Sequence, residues 1–318
     1  MIIVGVICLL YLYIDIIHMP TYKNIASISE AHQLIGLSPP RHPLISVFEL
    51  SKNVTRGYRS KDIFYTLGFY TIYCKTFRGI LNYGKGHYDF DEGSLMFTAP
   101  NQAISPDPDI NCEEGWGLFF HPDLIHSTNL GKQINTYSFF NYDINEALHV
   151  SENEKLDLKD CFLKIEKEYS QNIDKHTQSL IVNNLELLLN YCNRYYDRQF
   201  ITREKVSKDI VQKFEALLIE YFSVESLIET GLPSVSYFAS KLNLSTNYLS
   251  DLLSKYTGKS TMEHIHLQLV DRAKTLLWGS DRSISEIAYD LGFEHQSHFT
   301  KLFKTKTGVS PKAFRLLN

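Results

Sequence analysis

One pattern is written twice in the last third of the chain, and few folds accommodate it. From Ser283 the sequence reads SISEIAYDLGFEHQSHFTKLFKTKTGVSPKAFR. Ile287, Ala288 and Leu291 place apolar side chains on one side of a short helix that Gly292 stops, and Ser283 with Glu286 has the spacing of a capping box. A second helix is expected from about His295 to Lys306. At about 100° per residue, Phe299, Leu302 and Phe303 gather on one side of it, while Ser297, Thr300, Lys301 and Lys304 gather on the other. Two short helices joined by a glycine turn, the second with one apolar and one cationic face, read as a helix-turn-helix.

The earlier copy follows the same plan. Ala239, Leu242 and Leu244 match Ala288, Leu291 and Phe293 at a spacing of 49; after a one-residue insertion, Leu249, Leu253, Thr257, Gly258 and Ser260 match Phe299, Phe303, Thr307, Gly308 and Ser310 at a spacing of 50. Between the copies, Met262 to Trp278 reads as one long helix stopped by Gly279. Such a connector lets two helix-turn-helix units enter successive major-groove segments of one duplex. The DNA-facing positions expected are then Thr246, Asn247, Ser250 and Asp251 in the first copy and His295, Gln296, Ser297, Thr300, Lys301 and Lys304 in the second. Asp251 puts an acid and no cation on the first reading face.

These residues carry a resemblance. Ala288-x-x-Leu-Gly-Phe, then Gln296-Ser-x-Phe299 and Phe303-Lys-x-x-x-Gly308-x-Ser-Pro311-x-x-Phe-Arg315, resemble the C-terminal signature of AraC-type (AraC/XylS) transcription regulators over roughly Pro233 to Leu317. The resemblance implies double-stranded DNA as partner, an N-terminal domain that senses a small-molecule effector and forms a homodimer, and a contact with RNA polymerase.

Charge agrees with a division of labour. The chain carries a net charge of −4, but residues 231–318 hold 11 Lys and Arg against 7 Asp and Glu, net +4, leaving 21 against 29, net −8, in residues 1–230. The acidic part is not expected to touch DNA, and the modest basic excess suits affinity that leans on dimerisation. Cys8, Cys74, Cys112, Cys161 and Cys192 form no C-x-x-C pair and no metal spacing, which fits a reducing cytoplasm.

From Leu44 to Tyr142 the texture is β, with aromatic and β-branched runs such as Ile45–Leu50, Phe64–Cys74, Ile80–Tyr83, Ser94–Phe97 and Trp116–Phe120 separated by turn signals. A small barrel or jelly roll is the expected closure, with Tyr65, Phe69, Tyr70, Tyr73, Phe77, Tyr83, Phe90, Phe97 and Trp116 as its core and any effector within residues 44–142. DFDEGSLMFTAPNQ resembles the cupin-like sensor half of the same family. Cupin enzymes hold a metal with H-x-H, a Glu and a later His; here His87 stands alone before Tyr88 and Asp89, so no metal, cofactor or enzymatic activity is expected. His121 and His126, five apart across Pro122, read as a turn and the element after it rather than as ligands.

Leu156 to Tyr169, Thr177 to Tyr196 and Thr202 to Ile228 read as helices. In the second, Leu180, Asn184, Leu187, Leu188 and Tyr191 define one face, which Ile181, Leu185 and Leu189 widen beyond what a single neighbour needs, for barrel packing or a dimer contact. Residues 1–18, apolar apart from Asp15 up to Ile17, read as a mis-assigned extension ahead of a start at Met19; a membrane anchor is the alternative. The expected fold is α+β in two domains: a cupin-like β-barrel with helices over 19–200, a linking helix over 201–230, and an all-α DNA-binding domain of two helix-turn-helix units over 231–318. The expected function is a cytoplasmic, sequence-specific, DNA-binding transcription regulator. Its rivals are a cupin-type enzyme with a fused DNA-binding domain and a membrane-tethered interaction protein.

Overall fold

The computed structural model describes residues 21–51, 63–76, 81–83, 86–88, 93–104, 114–143, 146–172, 174–223, 227–228 and 231–316. The stretch 1–18, Phe77, Phe90 and Cys112, and the side chains of Tyr83 and His87, lie outside the described residues. The chain divides after Tyr196 into two units.

The first unit carries, in chain order, β1 (Thr21–Ile25), α1 (Ile28–Ile35), β2 (Ile45–Ser51), β3 (Ile63–Leu67), β4 (Tyr70–Thr76), β5 (Leu81–Tyr83), β6 (Gly86–Tyr88), β7 (Ser94–Thr98), β8 (Ala103–Ile104) and β9 (Glu114–Phe120). Short helices α2 (Pro122–Ile125) and α3 (Asn129–Gln133), strand β10 (Leu148–His149), and long helices α4 (Glu152–Ser170) and α5 (Thr177–Thr202) follow. Strand order is β10-β7-β4-β9-β2 in a five-stranded sheet, β1-β3-β8 in a three-stranded sheet, and β5-β6 in a hairpin.

Among the described residues the strands form separate sheets that do not close into a barrel. One cause is local. The run Phe64–Cys74, expected as a single strand, breaks at Gly68 into β3 and β4, which belong to different sheets. A Cβ at Gly68 would lie 2.6 Å from the Ala26 carbonyl oxygen, and the Gly68 N–H donates to Ile25 at 2.9 Å. Only glycine lets the two segments approach this closely at the point where the chain changes sheet.

Helix α1 was not anticipated, although its signals are strong: Ser27 and Glu30 form a capping box and left-handed Gly36 ends the helix. Its Ile28, Ala31 and Ile35 are buried in one cluster with Phe48, Leu50, Phe69 and Phe119. Full burial of each large apolar side chain contributes about 1.5–3 kcal/mol. His32 is buried there too, bonding through Nε2 to Ser46 Oγ at 2.7 Å and through Nδ1 to the Ser38 carbonyl. Elsewhere in the unit the aromatic core is dense: Trp116 lies 4.4 Å from Phe162 of α4, and Phe97 4.5 Å from Phe139.

Helix α5 buries Ile181, Leu185, Leu188, Leu189 and Cys192, whereas Leu180 and Leu187 are 43% and 42% exposed. Of the wide apolar stripe, the unit thus buries the Ile181, Leu185 and Leu189 side with Leu188 and leaves the Leu180 and Leu187 edge exposed. The helix also runs on to Thr202 before Arg203 departs from helical geometry.

The second unit begins in the last turn of α5. It contains α6 (Glu204–Phe222), α7 (Val235–Leu242), α8 (Thr246–Thr257), α9 (Thr261–Gly279), α10 (Ile284–Asp290), α11 (Gln296–Thr307) and α12 (Pro311–Leu316). A single apolar cluster unites them, from Phe214, Leu218 and Phe222 through Phe238, Leu249 and Leu253 to Ile287, Phe299 and Phe303. Phe214 is fully buried and meets Phe238 at 5.3 Å and His264 at 5.5 Å, edge to face.

Candidate nucleic-acid interface

The duplication extends to hydrogen bonds. Ser234 caps α7 by accepting from Tyr237 N–H, and Ser283 caps α10 by accepting from Glu286 N–H at 3.1 Å, while the Glu286 carboxylate accepts from Ser283 N–H at 2.6 Å. Each turn then needs a left-handed residue, supplied by Asn243 (φ 55°) in the first copy and Gly292 (φ 81°) in the second. The reading helices end alike. Thr257 Oγ1 donates to Leu253 O at 2.8 Å and Lys259 O at 3.2 Å, and Thr307 Oγ1 to Phe303 O at 2.8 Å and Val309 O at 3.0 Å. Ser260 and Ser310 then start α9 and α12, their hydroxyls accepting from Glu263 and Ala313 N–H.

Opposite the buried pairs Leu249/Leu253 and Phe299/Phe303 stand the expected readers. On α8, Thr246 is exposed and Asn247, Ser250 and Asp251 are half-buried. Around α11, His295, Gln296, Ser297, Lys301 and Lys304 are exposed and Thr300 is half-buried. The structure thus gathers four candidates on one helix and six on and beside the other. Lys301 and Lys304 enter no ion pair among the described residues, so their charge is available to an anionic ligand.

The flanks of the two reading helices differ. In the first copy Tyr248 is buried, its ring 5.1 Å from Phe200; the Tyr256 hydroxyl donates to the Phe200 carbonyl at 2.6 Å, and Lys255 pairs with Asp197 at 3.0 Å. Residues 197–200 therefore clasp α8. The second-copy counterpart of Tyr248 is His298, which is exposed. Sequence reasoning passed over it; the signal was a tyrosine replaced by histidine at the repeat spacing.

Elsewhere, His121 is the N-cap of α2, its Nδ1 accepting from Asp123 N–H, and His126 its C-cap. Among the described residues no group of three His, Cys, Asp or Glu side chains is placed to hold a metal. Nor is any described helix long and apolar enough to cross a membrane. Burial pushes the Cys161 and Cys192 thiols up, favouring their protonated forms.

Residues 238–316 match a family model described as a helix-turn-helix domain. The chain is 40% identical over 77 residues to the regulatory protein PocR of Salmonella typhimurium, covering 24% of this chain and 25% of that protein. It is 40% identical over 123 residues to the Msm operon regulatory protein of Streptococcus mutans, covering 32% and 44% respectively. Among solved structures, the C-terminal domain of AraT, a response regulator from Geobacillus stearothermophilus, is similar over 34% of this chain and 85% of that one, at 28% identity and a TM-score of 0.31. The chain spans less than half the length of these two curated relatives. Residues 238–316 are a helix-turn-helix domain.

Proposed function

We propose that the chain is a sequence-specific transcription regulator that reads double-stranded DNA through both helix-turn-helix units and is not an enzyme. The observation that carries this reading is the repeated motif with its apolar side buried and its polar side half-buried on α8 and largely exposed on α11. N-terminal residues of such helices reach base edges. Gln296 has the paired donor and acceptor that match adenine, Lys301 donates to guanine, Lys304 lies one turn further toward phosphate, and Asp251 accepts from cytosine N4.

In this reading the first unit is a cupin-like regulatory and dimerisation module. Exposed Leu180 and Leu187 on α5 support a homodimer contact. A polar cleft of about 360 Å³ between Thr128 and the α5 residues Gln178, Asn183 and Glu186, and so partly outside the expected 44–142, offers room for a small effector. The protein works in the cytoplasm, where RNA polymerase is its second partner.

Selection of bound duplexes from a randomised pool tests the reading. Gln296→Ala and Lys301→Ala should each relax one base position, at about 1–3 kcal/mol, and Asp251→Ala should alter preference in the other half-site. Lys304→Ala should weaken all sequences and lower the salt slope by about one. An unchanged site preference in both Gln296→Ala and Lys301→Ala would refute the assignment of bases to α11.

A further inference from the structure

Resting on the DNA-reading assignment above, we propose that the end of α5 restrains the first reading helix: Asp197 holds Lys255 away from the DNA backbone, and α8 gains a phosphate contact only when this clasp opens. Lys255 is the one cation in the sequence of α8, which also carries Asp251, whereas α11 carries Lys301, Lys304 and Lys306 and no acid. At about 100° per residue, Lys255 falls about 40° round the helix from Asp251 and one turn beyond it, at the border of the reading face. Contacts to phosphate belong at such borders, beside the side chains that enter the groove. Asp197 stands there instead, its carboxylate 3.0 Å from the Lys255 ammonium.

The ion pair by itself is weak. Lys255 and Asp197 are 36% and 57% exposed, and pairs of that kind shift an equilibrium by a factor of about 1.5 to 5. What makes the pair a restraint is the way Asp197 is held. Phe200 lies three residues further along the same helix, on the same side, and is buried with its ring 5.1 Å from that of buried Tyr248. Its carbonyl accepts from the Tyr256 hydroxyl at 2.6 Å and from Ser207 Oγ at 3.4 Å. Tyr248 to Tyr256 spans about two turns of α8, so the clasp fixes an acid along a flank rather than at a tip. A phosphate approaching that flank meets a carboxylate that is anchored in place. The second copy is built otherwise: Thr305 stands in the position of Lys255 and donates through Oγ1 to Lys301 O at 2.8 Å, and Lys306 stands in the position of Tyr256. The clasp comes from a helix that starts at Thr177, so whatever moves the end of α5 sets whether Lys255 is available. The first reader is thereby conditional, and the second is not.

The test compares four full-length chains, wild type, Asp197→Asn, Lys255→Gln and the double variant, on one duplex selected from a randomised pool and titrated against salt at constant pH. Each phosphate neutralised adds about 0.9 to the slope of log affinity against log salt. Asp197→Asn should tighten binding about two- to fivefold and steepen the slope by about 0.9, with the preferred sequence unchanged because a phosphate contact carries no base information. Lys255→Gln should leave the wild type nearly unaltered and, placed in Asp197→Asn, should remove both gains. An Asp197→Asn chain with wild-type affinity and slope would overturn the proposal, as would a Lys255→Gln change that weakens the wild type as much as it weakens Asp197→Asn. Failure of all four chains to bind any duplex would overturn the DNA-reading assignment itself, and this proposal with it.

Discussion

The two helix-turn-helix copies share a plan of hydrogen bonds and differ in what covers them. Cap serines, left-handed turn residues and terminal threonines recur, whereas the flank of α8 is clasped by residues 197–200 and the matching position on α11, His298, is open. Local backbone geometry is thus what the repeat retains. The two copies also fill their cores with different residues, Leu249 and Leu253 in one and Phe299 and Phe303 in the other. Aromatic anchors suit the copy with less around it, since Phe303 meets both Phe299 (5.8 Å) and Phe314 (5.3 Å).

The largest expected effect follows from that difference. Phe303→Ala opens a cavity between buried Phe299 and half-buried Phe314 and should cost about 3–5 kcal/mol, against about 2–5 kcal/mol for Leu253→Ala in the first copy. Denaturant unfolding of the full chain measures both. A smaller loss at Phe303 than at Leu253 would mean that the aromatic anchors do not compensate for the open flank.

Next in size is the turn. Gly292→Ala forces a side chain into a left-handed conformation, and its Cβ would meet the Gly231–Leu232 backbone at 2.9–3.2 Å. We expect a loss of about 1–3 kcal/mol. Asn243→Gly, at the equivalent turn, should change stability by only a few tenths, since asparagine already tolerates this region and glycine merely adds freedom to the unfolded chain. Equal losses at the two turns would erase the distinction between a position that requires glycine and one that accepts asparagine.

The C-terminal unit was largely legible in the sequence because its determinants are local. Ser283, Glu286 and Gly292 announce a helix start and stop within ten residues, and the repeat supplies a second reading of each element. The face chosen by α5 was not legible: Leu180 and Leu187 are as apolar as Leu185 and Leu188, and only tertiary packing decides which are buried. The sheets were legible as strands but not as partners. Nothing near Gly68 states that β3 pairs with β1 and β8 while β4 joins β7 and β9, because that choice depends on residues distant in the chain. Helix α1 is the opposite case, since Ser27, Glu30 and Gly36 are local signals of the same kind that located α10.

The clasp on α8 supplies a smaller effect. Tyr256→Phe removes the hydroxyl that donates to the Phe200 carbonyl and leaves the ring in place, for an expected loss of about 0.5–1.5 kcal/mol. The corresponding position on α11 is Lys306, so Lys306→Ala should have less effect on stability, its 4.0 Å approach to Glu263 being long and partly exposed. Comparing the two variants by thermal unfolding shows whether the clasp holds the first reader; no loss in Tyr256→Phe would reduce it to a passive contact.

The smallest effect concerns acid. The Ser283 backbone N–H, then its hydroxyl, holds the Glu286 carboxyl below its ordinary value, and Ser260 does the same for Glu263. A carboxyl whose folded pKa is depressed stabilises the fold above its unfolded value, and that contribution disappears as pH falls through the folded value. Stability should therefore fall off below about pH 4.5 in the part of the unit begun by these two capping boxes. The first copy has Tyr237 where a capping carboxylate would sit, so α7 carries no such term. Because both carboxylates are solvent-exposed, the effect is small and best read as a slope. Glu286→Gln keeps a side chain that can still accept from Ser283 N–H but removes the charge, so it should flatten the stability profile between pH 3 and 5 with little change at pH 7. Hydrogen exchange at the α10 amides, compared with those of α7, localises the response. Acid lability that remained equal in the two helices of the variant and the wild type would show that the capping carboxylate does not set the acid sensitivity of the second copy.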